Sequence, residues 1–267
     1  MPRSLSPPIS PKSLSWRCCN LPLVRPASGT ADARQAGLSV PPGLPRLIPA
    51  VGAVRDAAHG FSDIARQEAS EALRLPGKDS QELAALALAQ IGDSTAAQKL
   101  CGDLSRDFPN DTLLHAAYLP MVQAFNDLQK NNPAEAINTL EPARKYEMGI
   151  GPGNSPRFWP IYIRGQAFLR MHDGAKAAAE FQKILDHRGA LAASELYPLA
   201  QLNLARAYAL QAGYVAPGFS PASSAPGAED LKVKARTAYQ DFFALWKDAD
   251  PDIPVLLQAK AEYAKLQ

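Results

Sequence analysis

The sequence predicts an all-α protein, a solenoid of stacked helical hairpins behind a disordered, proline-rich tail. Three observations carry this expectation. Residues 1–50 hold ten of the chain's 24 prolines and show neither a helical nor a strand-like hydrophobic period. Beyond residue 51, Ala and Leu recur at helical spacing, and no segment sustains the alternation of a strand. A pattern of small, bulky and apolar residues then returns at intervals of about 40 residues, the mark of a repeat architecture.

The tail comes first. Proline removes amide donors and blocks helix interiors, so "SPPISPKSLS" and "SVPPGLPRLIP" read as disordered. Within residues 1–50, Arg3, Lys12, Arg17, Arg25, Arg34 and Arg46 face Asp32 alone, a local +5 that leaves −3 on the rest of a chain of net +2. The segment reads as a passive tail, an upstream stretch outside the true coding frame, a basic tether, or a ligand for a proline-binding module. The net charge is too small to imply nucleic acid or acidic lipid as a partner. No apolar run approaches the ~20 residues of a membrane span, and residues 1–30 lack the apolar core of a signal peptide.

The helical part runs over 51–267. "FSDIARQEASEALRL" (61–75) places Ile64, Ala65, Ala69, Ala72 and Leu73 on one face, and "PGKD" (76–79) breaks it. Helices follow at 80–90 and 94–108, with Gly92-Asp93 turning between them and Pro109 stopping the second. The next, 112–130, carries Leu113, Leu114, Ala117, Met121, Ala124, Phe125 and Leu128. In "NNPAEAINTLEPARKYE" Asn132 can cap, Pro133 suits the first helical position, and Glu135 can reach back to the cap. "MGIGPGNSP" (148–156) is a loop. Helices over 158–171, 174–188 and 194–212 lead to a Pro/Gly/Ser-rich insert at 214–229, then to helices over 230–247 and 254–266.

These helices pair, and the pairs repeat. In the second helix of each pair Ala97, Cys101, Leu104 correspond to Ala136, Leu140, Ala143, to Ala177, Phe181, Ile184 and to Ala235, Tyr239, Phe242. The leading alanines are 39, 41 and 58 residues apart, the last gap containing the insert. In the first helices a small residue precedes a bulky one by three, at Ala85/Leu88, Gly165/Phe168 and Ala205/Tyr208. The small residue lets two helices approach, and the bulky one fills the groove between them.

This pattern resembles the tetratricopeptide repeat, with "RGQAFLRMHDGAKAAAEFQ" and "LAALALAQIGDSTAAQKLCGDLSRDFP" as its best copies. The period exceeds the family's usual ~34 residues, so the copies are degenerate, with lengthened helices. The blocks "DTLLHAAYLPMVQAFNDLQ", "AEFQKILDHRG", "LNLARAYALQAG" and "AYQDFFALWKDADPDIPVLLQAKAEYAKLQ" are similar to the C-terminal repeat region of a group of bacterial serine/threonine protein kinases and multidomain regulators. The resemblance covers about 61–267. It implies a right-handed solenoid whose first helices line a concave groove. That orientation nominates Tyr118, Trp159, Tyr162, Gln166, Arg170 and Arg206 as groove residues, because aromatics and Arg most often anchor partners. Tyr162 and Leu202 stand where the carboxylate-gripping relatives have polar residues, so a chaperone tail is not the expected ligand.

Motifs for chemistry are sparse. A kinase needs a Gly-rich loop, a strand Lys, H-R-D and D-F-G, and the sequence has none of them. "GIGPGN" (149–154) lacks the spacing and the Lys-Ser/Thr of a phosphate loop. His172-Asp173 and Asp186-His187 sit at opposite ends of one predicted helix, roughly 21 Å apart at 1.5 Å per residue, so they cannot share a metal. Asp173 reads as an N-cap, and His187-Arg188 with Gly189 as a helix C-terminus. His115 reads as a core or edge histidine. Cys101 reads as a small core residue, and the adjacent Cys18 and Cys19 complete neither a disulfide framework nor a zinc site.

The expected function is therefore a non-catalytic scaffold or sensor that binds a protein or peptide in its groove, with no cofactor, metal, nucleic acid or membrane span. Two alternatives stand beside it: the C-terminal part of a serine/threonine kinase whose catalytic domain is absent from this chain, and an accessory domain of a transcription regulator.

Overall fold

The computed structural model describes residues 44–74, 77–149, 157–191, 194–214 and 227–267. Cys18 and Cys19, the tail to residue 43, loop residues 150–156 and insert residues 215–226 lie outside them. Among the described residues there are eleven α-helices and no strand: α1 (Leu44–His59), α2 (Ser62–Ala72), α3 (Lys78–Gln90), α4 (Ser94–Asp107), α5 (Leu119–Gln129), α6 (Pro133–Thr139), α7 (Trp159–Arg170), α8 (Gly174–Leu185), α9 (Leu196–Gln211), α10 (Ala228–Leu245) and α11 (Pro254–Ala264).

The boundary at residue 51 needs correction. Residues 44–50 open α1, and Ala50 and Ala53 are fully buried in the main core. Pro49 lies inside this helix and costs it one early amide bond, which burial of the alanine face offsets. The insert likewise ends sooner, because α10 begins at Ala228.

Five times among the described residues a helix ends on the same turn. Gly60, Gly92, Asn131, His172 and Gly213 all have positive φ, between 58° and 92°. At each, the amide of that residue donates three residues back and the next amide donates five back. Gly92 bonds Ala89 and Asp93 bonds Leu88, as His172 bonds Leu169 and Asp173 bonds Phe168. This is the Schellman closure of a helix, which satisfies two of its last carbonyls. The turns fall 32, 39, 41 and 41 residues apart. They define five hairpins: α1/α2, α3/α4, α5/α6, α7/α8 and α9/α10. Consecutive hairpins pack in chain order, with α3 on α5, α5 on α7 and α7 on α9, while α4, α6 and α8 each pack on the next first helix.

Counting from the turn explains the repeat. The fifth residue after it is Ala97, Ala136 or Ala177, each fully buried. Leu140 and Phe181 follow four later in the core, while Cys101 is half-buried and its thiol is pushed up to about 11 by burial. In the last hairpin the insert breaks this count, and the buried pair Ala235 and Tyr239 keeps only the spacing of four. The first hairpin fits the same positions with Ala65, Ala69 and Ala72, all fully buried. One correspondence shifts: with Gly213 as the turn, the counterparts of Ala85 and Leu88 in α9 are Arg206 and Ala209, one residue beyond Ala205 and Tyr208. Ala205 is still fully buried, in a smaller core that α9 shares with α10 and α11.

Side chains join neighbouring hairpins along the turn edge. Gln129 donates to the Gln90 carbonyl at 2.7 Å, Arg170 to the Leu128 carbonyl, and Gln211 to the Gly174 carbonyl at 3.0 Å. Gln90, Gln129, Arg170 and Gln211 all stand two residues before a turn. Inside the stack, the buried Arg164 pairs with Glu147 at 2.8 Å and Glu180 at 2.9 Å, tying the segment after α6 to α7 and α8. Before α5, a π-helical turn spans Leu114–Tyr118, and Leu119 donates to Leu114. Pro120 lacks the amide that an α-helical bond to Ala116 would need.

Local caps agree in part with expectation. Asp93 and Asp173 accept from Ala96 and Lys176. Pro133 opens α6, but Asn132 makes no side-chain cap bond. Gly189 does not take a left-handed conformation; the chain runs on into a 3-10 turn, Arg188–Leu191.

A Cβ on Gly165 would lie 2.6 Å from two ring carbons of the fully buried Phe181. Gly165→Ala is therefore expected to destabilise by about 1–3 kcal/mol, whereas on a solvated helix face it would stabilise by up to ~1 kcal/mol. Phe181→Leu in the same chain should recover part of the loss, with a coupling of ~0.5 kcal/mol or more in urea denaturation. A stabilised single variant would place α7 and α8 in the wrong relation.

Candidate binding site

Three of the six nominated residues meet in one polar network. α7 places Tyr162 and Gln166 four apart on one face, and α9 places Asn203 and Arg206 three apart. Gln166 and Asn203 donate to the Tyr162 hydroxyl at 3.0 and 3.1 Å. Arg206 donates to Asn203 Oδ1 at 3.1 Å and grips both carboxylate oxygens of Glu262 on α11, at 2.8 and 3.1 Å. Tyr239 of α10 donates to the same Glu262 at 2.9 Å. The path crosses four helices, Gln166–Tyr162–Asn203–Arg206–Glu262–Tyr239.

Electrostatics follow from this packing. Burial pushes the Tyr162 phenol up to about 12, against the opposing pull of the Arg206 charge and the two amide donors. Burial disfavours the charge on Arg206, but Glu262 more than compensates and raises its pKa further. Tyr239 is raised as well, by burial and then by the Glu262 charge. All three groups hold one protonation state across the neutral range, so the network offers positioning and charge complementarity.

The expected open row of aromatics is corrected. Tyr118, Trp159 and Tyr162 are only 3, 7 and 4% exposed. Trp159 meets Phe125 and Tyr162 edge-on, and Tyr162 meets Phe181, so the rings fill the space between α5, α7 and α8. Tyr118 lies apart, near Asp79, Glu82 and Asp111, where Lys78 pairs with Glu82 and Asp111 at 2.9 Å each. Arg170 is exposed and joins the turn edge. Gln166 and Arg206 are partly buried, the Arg206 side chain keeping 22% of its exposure. Asn203 and Glu262 carry no signal in the sequence, and Tyr239 reads there only as a bulky core position of the repeat, because the pairs they form span 41, 56 and 23 residues between separate helices.

The histidines serve structure. His172-Asp173 and Asp186-His187 flank α8 at opposite ends. His187 bonds the Lys183 carbonyl at 2.7 Å, and the exposed His115 bonds the Phe108 carbonyl at 3.1 Å. Among the described residues no group of three His, Cys, Asp or Glu is arranged to hold a metal, and no helix is long and apolar enough to cross a membrane.

A second polar cluster joins the first hairpin to the C-terminal end. His59 is buried with its ring 5.2 Å from Trp246 and its Nδ1 2.5 Å from the Arg55 carbonyl, and burial pushes its pKa down to about 4. Beside it, burial and then the Asp56 charge push Glu68 up to about 7, with Arg55 opposing. The two groups act in opposite directions. Glu68 holds its proton more tightly when folded, so its contribution is full below the unfolded pKa near 4.5 and is lost as pH rises through about 7. The His59 contribution is full above 6.5 and is lost as pH falls through about 4. Glu68→Gln mimics the protonated acid. It should raise the melting temperature relative to the native chain more at pH 8 than at pH 5, as read by circular dichroism. An equal shift at both values would show that Glu68 is not held protonated by the fold.

Comparison with known proteins assigns the chain to no established group: no family model matches it, and neither a curated protein nor a solved structure does.

Proposed function

We propose that the chain is a non-catalytic binding module, a right-handed tetratricopeptide-like solenoid that holds a protein or peptide against its first helices. The observation that supports this most is the turn repeated five times, at Gly60, Gly92, Asn131, His172 and Gly213. The same turn opens each of the first four second helices two residues on, and stacked similar units build extended surfaces for partners. The likeness to the repeat region of bacterial serine/threonine kinases and regulators fits a scaffold or sensor role in signalling. The partly exposed Gln166 is the group offered to a partner, with the buried Trp159 and Tyr162 holding it in place.

The test is a purified chain used as bait, with bound polypeptides identified by mass spectrometry and each candidate then titrated by calorimetry. A saturable, stoichiometric partner is expected, weakened at least about tenfold by Gln166→Glu with the melting temperature unchanged. ATP incubated with the same preparation should yield no phosphorylated product. Phosphotransfer by a preparation free of other kinases, or a partner indifferent to Gln166, would contradict the proposal.

A further inference from the structure

We infer that the surface of α9 and α10 now covered by α11 is a docking site for an amphipathic partner helix that carries a carboxylate, and that α11 covers it as an internal stand-in. The inference rests on the reading of the chain as a binding module and names the partner's chemistry.

α11 is held by one amphipathic face. Leu256 and Ala259 are buried, Val255 and Tyr263 pack partly buried on the same core, with the Tyr263 ring against Tyr239 and Phe243, and Glu262 lies on this face; Leu266, two residues past the helix end, is buried as well. The spacing of three puts Leu256, Ala259 and Glu262 in one line along α11, and Leu266 follows just past its end. The outer face stays in solvent, with Leu257 51% exposed. The helix packs chiefly on α10, and the non-helical residues 246–253 join the two.

The receiving surface is built for a carboxylate. Two guanidinium nitrogens of Arg206 take both Glu262 oxygens, and the Tyr239 hydroxyl adds a third donor. Such a forked pair reads a planar acid with defined geometry. A second arginine, Arg236, donates to the Leu266 carbonyl at 2.7 Å and the Gln267 carbonyl at 3.3 Å. Cations suit the negative end of a helix dipole. The site thus specifies an apolar residue, a small residue three later, a glutamate three beyond that, an apolar residue four further on, and a helix end at Arg236. At the other end of α11, Pro254 lies against Gly60 and Trp246 against His59. Lifting α11 therefore also loosens the junction between the first hairpin and the C-terminal segment.

The probe is a labelled peptide of residues 252–267, titrated by fluorescence anisotropy against full-length chains. A tethered helix competes at high effective concentration, so the native chain should bind the peptide weakly. A chain with Leu256→Ala and Glu262→Ala should bind it at least about tenfold more tightly. Adding Arg206→Ala should remove that gain. Should that variant fold poorly, the Arg206→Glu chain paired with a peptide bearing Glu262→Arg should restore binding that neither change supports alone. Equal binding by native and weakened chains, or none by either, overturns the inference. So does hydrogen exchange showing α11 of the weakened chain as protected as α7, since α11 would then be a fixed layer of the core. A partner from the bait experiment that ignores competing peptide keeps the binding-module reading and sinks only the docking site.

Discussion

The left-handed residue that ends each first helix is the constraint on which the hairpins depend. It reverses the chain within about one residue and closes the helix carbonyls, which would otherwise go unsatisfied. It also sets the count for everything downstream. In the first four hairpins an alanine stands five residues on and faces the partner helix, and in the two best-packed of them a bulky side chain four further on fills the space between helices. Gly165 and Phe181 show how tightly that count is enforced, since even a methyl group on one would collide with the ring of the other. At Asn131 and His172 the turn is made without glycine, so the fold accepts a backbone cost there in exchange for the register.

The same register decides which polar groups can meet. Gln90, Gln129, Arg170 and Gln211 recur just ahead of the turns, and three of them reach across to a neighbouring hairpin. Arg206, which stands where the other hairpins have Ala85, Ala124 and Gly165, breaks the pattern of small residues. A guanidinium at that position cannot be buried unpaired, and Glu262 of α11 meets it. The substitution that ends the run of close-packed first helices thus creates the contact that holds the last helix down.

Much of this was legible in the sequence, and the parts that were not have physical reasons. The second helices were read residue by residue, because Ala97, Ala136, Ala177 and Ala235 head patterns of period 3.6 that burial alone imposes. The first hairpin was not recognised as a copy, because Ala65, Ala69 and Ala72 replace the bulky members and leave no size contrast. The start of α1 was hidden by Pro49, a residue that argues against a helix by propensity yet is tolerated one turn in, where few amide bonds are lost. The candidate site was half-legible. Tyr162, Gln166 and Arg206 do converge, but aromatic residues at helical spacing carry no label saying whether they face a groove or one another. Here Trp159 and Tyr162 pack into the rings beside them, and the partner that completes the site, Glu262, lies 56 residues from Arg206 in sequence.

The turn itself admits the most direct test. Lys130 and Asn131 are neighbouring exposed residues, with φ of −81° and +58°. Valine resists only the second conformation. Urea denaturation of Lys130→Val and Asn131→Val therefore isolates the left-handed requirement from every other effect of the substitution. Asn131→Val should lose about 1–2 kcal/mol, Lys130→Val should stay within ~0.5 kcal/mol of the native chain, and Asn131→Gly should be neutral or stabilising. Equal losses at the two positions would contradict the account, because the hairpin would then form without the turn that sets its register.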